Sequence, residues 1–425
     1  VKFYTFEVKQ ERCLLVGLAK NNFARWQKID SLEELAALTL TAGGIVVEKI
    51  LQIRSHFDPK TLLGQGKVEE LKQLTLRHKI DLLIFDEPLS PSQIRNIEDI
   101  TGVRAIDRAA LILDIFALHA QTAEAKMQVE LAQLDYHSTR LTGFGTELSR
   151  LGGGIGTRGP GEKKLEEDRR RIRERISVLK KDLKRIEQER RQQRKQRRDF
   201  FNLSLAGYTN AGKSTLMNRL TDARVKVASY LFATLDPNTK PLILKKGVKV
   251  LLTDTVGFIK NLPHELVASF RATLSEIREA DFVLQVVDAT ENEIEVKISV
   301  VRTVLDEIGC RKPTLVVFNK IDRLFEEEMV KRLKRSYPGA VFVSALTGEG
   351  IDGLKRAILH FIDQHLVIRT FTVPVERGDL IALLYTVGEV TKKTERDKKL
   401  QLKVKGGEGI LARTRKEITA ALKRK

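Results

Sequence analysis

The sequence is poor in the features that mark several special classes of protein. Its 425 residues include only two cysteines, Cys13 and Cys310, distant from one another and from the seven scattered histidines. They provide neither a disulfide framework nor a metal-binding spacing, and both suit core positions. Only ten prolines, with 42% hydrophobic residues, exclude a collagen-like chain and a wholly disordered one. Long apolar runs are missing as well. Residues 14–18, 82–85 and 315–318 are among the longest, and they fall far short of a membrane span. No apolar signal region ending in a small-residue cleavage site is present either, so the expected location is the cytoplasm.

What is abundant is positive charge. There are 75 Lys+Arg against 56 Asp+Glu, a formal charge of +19. Residues 151–199 hold 18 basic and 9 acidic side chains and residues 392–425 hold 13 and 4, so each segment contributes +9 and the rest is almost neutral. Two concentrated basic surfaces draw in a polyanion better than a uniform coat does, which makes nucleic acid the leading partner. The alternative for the first segment is the solvated face of a long charged helix.

The length supports roughly two to four domains. In residues 1–120, apolar runs at 13–18, 45–50, 82–85 and 103–106 alternate with helical patterns at 32–38, 67–76 and 91–100. That rhythm predicts a mostly parallel α/β domain, with an irregular stretch between Leu51 and Gly66. Asp86, Glu87 and Asp107 fall near strand ends, where they mark either a ligand site or turns and helix caps. Residues 121–199 read as an antiparallel helical hairpin, with stripes at Met127, Leu131, Leu134, Ser138 and Leu141, and at Leu165, Ile172, Ile176, Leu179, Leu183 and Ile186. Its glycine-rich tip includes Gly154, Gly156 and Gly159, which match G-x-G-x-x-G. A helix precedes that motif, and Pro160 and Gly161 break the chain directly after it, so a dinucleotide site is rejected. The tip is expensive to order alone and suits an RNA partner, with Arg150 and Arg158 nearby.

Residues 200–366 carry the strongest signal. A buried strand at 201–206 leads into Gly207, Tyr208, Thr209, Asn210, Ala211, Gly212, Lys213, Ser214 and Thr215, and a helical run comes next. This is G-x-x-x-x-G-K-S in the strand–loop–helix context it requires. The loop's N–H groups can face phosphate, Lys213 can neutralise β- and γ-phosphate charge, and Ser214 is placed for Mg²⁺. Asp254 and Gly257 form D-x-x-G, the carboxylate reaching Mg²⁺ through water and the glycine N–H meeting the γ-phosphate. Between the phosphate loop and D-x-x-G, Phe232, Ala233, Thr234, Leu235, Asp236 and Pro237 make a switch segment in which Thr234 is the expected third Mg²⁺ ligand, with Thr239 its rival.

Base choice is also legible. A strand at 314–318 ends in Asn319, Lys320, Ile321 and Asp322, and the Asp322 carboxylate can accept from guanine N1–H and N2, donors that adenine lacks. Ser344, Ala345 and Leu346 come after the next strand, and their backbone can hold the guanine oxygen. GTP is therefore the expected substrate. Phe258 stands where many GTPases place a water-positioning glutamine, so slow intrinsic hydrolysis is expected. Lys213, Thr234 and Gly257 are the other catalytic candidates, joined by Asn210, which either holds a K⁺ ion or simply turns the loop. Residues 367–425 form a small basic tail with apolar runs at 368–373, 381–384 and 400–404, read as α/β.

Taken together, these segments resemble the HflX family of translation-associated GTPases. The likeness rests on 207–215, 232–237, 254–258, 319–322 and 153–162, together with Pro59, Lys60, Leu63, Gly64, Gly66 and Lys67, and covers about 57–359. It implies an α/β multidomain protein that binds the large ribosomal subunit and its rRNA, acts on the 70S ribosome, and helps split or rescue stalled ribosomes after stress. It further implies slow GTP hydrolysis that the ribosome stimulates, and a hairpin tip near the peptidyl-transferase region. Some members bind ATP through the amino-terminal domain, but no phosphate loop occurs between residues 1 and 145. A monomer off the ribosome is expected. The competing class is a passive RNA-binding or assembly factor that keeps GTP as a structural ligand.

Overall fold

Near-continuous apolar runs bounded by polar turns produce strands covered on both faces. In the computed structural model, which describes residues 10–141, 160–196, 200–221, 231–232, 234, 236–245, 248–260, 271–291, 293–324 and 327–423, β1 (Arg12–Ala19) is buried along all but its first residue. The described residues fall into two compact units. One is drawn from 1–185 and 230–235, the other from 186–229, 236–260 and 271–425.

In the first unit, β1 is followed by α1 (Arg25–Thr41), β2 (Ile45–Ile53), α2 (Gln65–His78), β3 (Leu82–Phe85), α3 (Pro91–Thr101) and β4 (Arg104–Asp107). The strands form a parallel sheet in the order β2-β1-β3-β4. Leu14, Val16, Leu83 and Phe85 pack with Leu63, Leu71 and Ile97 on one side of it. Sequence chemistry sets the helix ends. Ser90 accepts from the Gln93 N–H while Gln93 Oε1 accepts from the Ser90 N–H, a reciprocal cap that precedes Pro91; the helix ends at Gly102 in the left-handed region. The segment after β2 holds one isolated bridge, Asp58 to Leu62, and the expected irregular stretch begins later than Leu51 because β2 runs on to Ile53.

The three strand-end acids are held by neighbours. Asp86 is fully buried between Lys28 and Arg108, each at 2.7 Å, and accepts from Ser31 Oγ. Burial works to raise its pKa, and the two cations overcome this and hold it below the ordinary value. Glu87 pairs with Lys28 and accepts from the Leu18 N–H, yet burial holds its pKa up. Asp107 caps α4 (Arg108–His119) through the Ala110 N–H and receives the Tyr136 hydroxyl at 2.8 Å. Capping accounts for Asp107, whereas Asp86 and Glu87 are held by ion pairs and not by turn or cap contacts.

The sequence pattern does not predict α4, since its buried run of Leu111, Ile112, Leu113, Ile115 and Phe116 is broken by only one polar residue, the exposed Asp114. This helix gives α5 (Ala123–Leu141) a second neighbour. Among the described side chains the buried positions of α5 are Glu124, Ala125, Gln128, Val129, Leu131 and Ala132, a face shifted from the expected stripe, of which Leu131 is buried and Met127, Leu134 and Ser138 are half-buried. α6 (Pro160–Gln196) carries the 37-residue basic rod, with Leu179 buried and Arg175 pairing with Glu130 of α5 at 2.6 Å. Pro160 does not interrupt this helix. It opens it, where a missing N–H costs nothing. The tip residues 152–159, Arg150 and Arg158 lie outside the described residues.

The second unit contains β5 (Phe201–Gly207), α7 (Lys213–Thr221), β6 (Asn238–Lys245), β7 (Val248–Asp254), α8 (Arg271–Glu279) and β8 (Phe282–Asp288). Beyond these come α9 (Ile294–Glu307), β9 (Thr314–Asn319), α10 (Glu327–Ser336), β10 (Val341–Phe342) and α11 (Ile351–His365). The sheet order is β10-β9-β8-β5-β7-β6, with only β6 antiparallel to its neighbour. The tail adds β11 (Val367–Pro374), α12 (Gly378–Val387), β12 (Glu389–Arg396), β13 (Lys399–Gly406) and α13 (Glu408–Lys423). Its antiparallel sheet buries Phe371, Val373, Leu400, Leu402 and Val404 against Leu380, Leu384, Leu411 and Ile418. The apolar run at 381–384 lies on helix α12. The molecule is thus a multidomain α/β protein.

Candidate nucleotide site

Four chain segments converge at the carboxyl ends of β5, β7 and β9 and beyond β10, where a parallel sheet leaves backbone groups and loop side chains facing outward. β5 delivers the phosphate loop and α7 begins at Lys213, so the helix amino terminus comes directly after the loop. Lys213 is buried, and its Nζ donates to the Gly207 and Tyr208 carbonyls at 3.0 and 2.9 Å. Burial pushes its pKa down to about 8, opposed by the charge of Asp254. A phosphate arriving beside it restores a partner for the charge.

Ser214 Oγ donates to Asp254 Oδ2 at 2.6 Å, and Asp254 is fully buried at the end of β7. A hydroxyl and a carboxylate brought together are hard oxygen donors of the kind that Mg²⁺ selects. Gly257 can be nothing larger, because a Cβ there would stand 2.8 Å from Thr209 Cγ2 and 3.1 Å from Lys213 Nζ. The D-x-x-G turn is laced onto the phosphate loop: Thr209 N–H donates to the Phe258 carbonyl at 2.8 Å and Phe258 N–H to the Gly207 carbonyl at 3.1 Å. Phe258 itself is 2% exposed, so its ring is a packing element.

Asn319 ties the base-recognition and phosphate loops together. Its Nδ2 donates to the Ala211 carbonyl and its Oδ1 accepts from the Ala345 N–H, both at 2.9 Å. Lys320 adopts a left-handed conformation and pairs with Asp288 at 2.7 Å. Asp322 Oδ1 is buried with no hydrogen-bond partner among the described residues, which suits a carboxylate that awaits donors from a base. Ser344 is buried and accepts from the Thr347 N–H, which shapes the turn through Ala345 and exposed Leu346.

Of the expected ligands, residues 207–215, Asp254, Gly257, Asn319, Lys320, Asp322 and 344–346 all belong to this unit. Phe232 and Thr234 belong to the other, where Phe232 lies edge-on to Phe116 with ring centroids 4.7 Å apart. Ala233 lies outside the described residues. Thr239, the rival to Thr234, is on β6 and shares a 2.9 Å hydrogen bond with Thr253, a sheet contact. Asn210 is exposed with φ of 60°, the left-handed turn geometry that asparagine tolerates. Two side-chain contacts carry no sequence signal. Arg219 of α7 donates to the Ala345 and Leu346 carbonyls, and Tyr208 Oη accepts from the Lys260 N–H at 2.6 Å. Only folding brings these partners near.

Three family models match in succession: "GTP-binding GTPase N-terminal" over 29–117, "GTP-binding GTPase Middle Region" over 119–197 and "50S ribosome-binding GTPase" over 202–320. "GTPase HflX" of Lacrimispora saccharolytica is 43% identical over 90% of this chain and 90% of that protein. The chain belongs to the HflX family of GTPases. "GTPase HflX" of Escherichia coli K12 is 42% identical over 90% of this chain and 91% of that protein. A solved GTP-binding protein of Sulfolobus solfataricus in complex with GDP is 27% identical over 82% of this chain and 98% of that chain, with a TM-score of 0.43. As an HflX-family member the chain is a GTP-binding GTP hydrolase.

Proposed function

We propose that this GTPase acts on the large ribosomal subunit, helps split or rescue stalled ribosomes, and uses GTP hydrolysis to gate its release. The carrying observation is the distribution of charge: two segments of +9 each flank a nucleotide domain that is close to neutral. rRNA phosphates match that pattern, and the family model described as a "50S ribosome-binding GTPase" supports the reading. Gly207 to Thr215 with Asp254 and Gly257 would bind the phosphates, Asn319, Lys320, Asp322 and Ser344 to Leu346 the guanine. Ser214, Asp254 and Thr234 would hold Mg²⁺, which neutralises phosphate charge when bound. Asn210 would hold K⁺ if one is required. Among the described residues no helix is long and apolar enough to cross a membrane. Off the ribosome the protein acts as a monomer in the cytoplasm.

Sedimentation of ribosomes with GTP, GDP and a non-hydrolysable analogue tests the switch. Tighter association with the GTP forms is expected, and equal binding in all three states would sink it. The buried Phe258 ring favours a second reading, a passive assembly factor with GTP as a structural ligand, because a ring cannot orient water. Turnover stimulated by ribosomes separates the two, since the passive factor shows none.

A further inference from the structure

Among the described residues the phosphate loop contains one buried side-chain polar atom that the fold does not use. Thr209 is 5% exposed, and its Oγ1 is buried with no hydrogen-bond partner among the described residues. Its backbone N–H is committed to the Phe258 carbonyl at 2.8 Å. A buried hydroxyl left unpaired destabilises a fold, so its presence points to a partner that arrives with substrate.

Its surroundings identify that partner. A Cβ built on Gly257 would lie 2.8 Å from Thr209 Cγ2, 2.9 Å from Thr209 Cα and 3.1 Å from Lys213 Nζ. The Thr209 Cα and methyl group, the Gly257 backbone and the Lys213 ammonium therefore crowd one small volume, and the Thr209 hydroxyl shares a Cβ with that methyl. Gly257 and Lys213 are the groups assigned to the γ-phosphate. The residue after Gly257 is Phe258, 2% exposed and fastened to the loop through both its N–H and its carbonyl. No side chain at that position orients water.

We propose that Thr209 is a catalytic residue of the GTPase, its hydroxyl accepting a hydrogen bond from the attacking water and aligning it with the γ-phosphorus. The water oxygen forms a bond to that phosphorus, the bond from phosphorus to the β–γ bridging oxygen breaks, and its electron pair leaves with GDP. The proton released by the water ends on inorganic phosphate, and Thr209 finishes the cycle unchanged. This role rests on the GTP site proposed above.

The test compares full-length parent, Thr209→Val and Thr209→Ser in single-turnover GTP hydrolysis, in GTP and GDP affinity, and in thermal unfolding without nucleotide. Thr209→Val keeps the shape and removes the hydroxyl. Its hydrolysis rate should fall about tenfold to a hundredfold, the scale seen when one polar group aimed at the reacting centre is lost. Its GTP and GDP affinities should stay within about twofold of the parent, and its nucleotide-free Tm should rise because an unpaired hydroxyl is gone. Thr209→Ser should retain most of the rate. A parental rate in Thr209→Val overturns the proposal, and so does a selective loss of GTP affinity at unchanged rate, which would make Thr209 a phosphate ligand only. If Thr209→Val does not fold, Thr209→Ala gives the same readouts. A parent protein that binds neither GTP nor GDP would instead overturn the site itself.

Discussion

The Asn319 side chain bridges two loops, donating to the Ala211 carbonyl and accepting from the Ala345 N–H at 2.9 Å each. Asn319 is 1% exposed, so Asn319→Ala leaves two buried backbone groups unanswered. Each such group costs about 1–3 kcal/mol, and urea unfolding should show a loss of at least about 2 kcal/mol. A loss under about 0.5 kcal/mol, the range of an ordinary surface change, would mean that water replaces the bridge.

Gly212 faces the same asparagine. Its φ is 88° and an added Cβ would stand 2.3 Å from Asn319 Nδ2. Gly212→Ala should therefore destabilise by more than about 1 kcal/mol through strain and overlap. Because Asn319→Ala removes the overlapping atom, the double variant should lose less than the sum of the two singles. Strict additivity in denaturant melts would refute the contact.

Lys213 gives a pH signature. Its pKa is about 8 in the fold against a reference of 10.5, with burial as the main cause. Between those values the unfolded chain binds more protons, so the nucleotide-free protein should gain stability as pH rises, by up to about 1.4 kcal/mol per unit. Lys213→Met should lack that slope. The charged lysine is the form that meets phosphate, so GTP affinity should weaken above pH 8, by up to about tenfold per unit. Calorimetric titrations in buffers of different ionisation heat should reveal proton uptake on binding near this pH, and none in Lys213→Met.

Asp322 tests base choice. Asp322→Asn replaces one accepting oxygen with a donor, and losing one charged hydrogen bond to guanine should weaken GTP by about tenfold to a hundredfold. ATP affinity should be nearly unchanged. Competition binding that shows an intact preference for guanine in this variant would remove Asp322 from the base site.

Much of the nucleotide unit is legible in the sequence because its motifs are local. A strand, a tight glycine turn and a helix start announce Gly207 to Ser214 from neighbouring residues alone, and the strands of both sheets declare themselves largely by short apolar runs. α4 is not legible, since its exposed face, Asp114, Ala117 and Leu118, carries a single charged residue and its apolar run has no clear period to read. The face of α5 is misplaced by its pattern for a related reason: heptad spacing assumes one neighbouring helix, and α5 packs on α4 and pairs through Glu130 with Arg175 of α6.

By itself the sequence determined the chemistry on offer: a phosphate loop with Lys213 and Ser214, a carboxylate at Asp322 able to accept from a base, a missing glutamine at Phe258 and charge gathered at 151–199 and 392–425. The tertiary structure decided which of those groups are engaged. Asp86 and Glu87 proved to be ion-paired, Phe258 buried, Arg219 joined to a loop more than a hundred residues away, and the Thr209 hydroxyl left unmatched. Residue type and spacing fix what a side chain can donate or accept, whereas burial and partners depend on contacts between segments far apart in the chain.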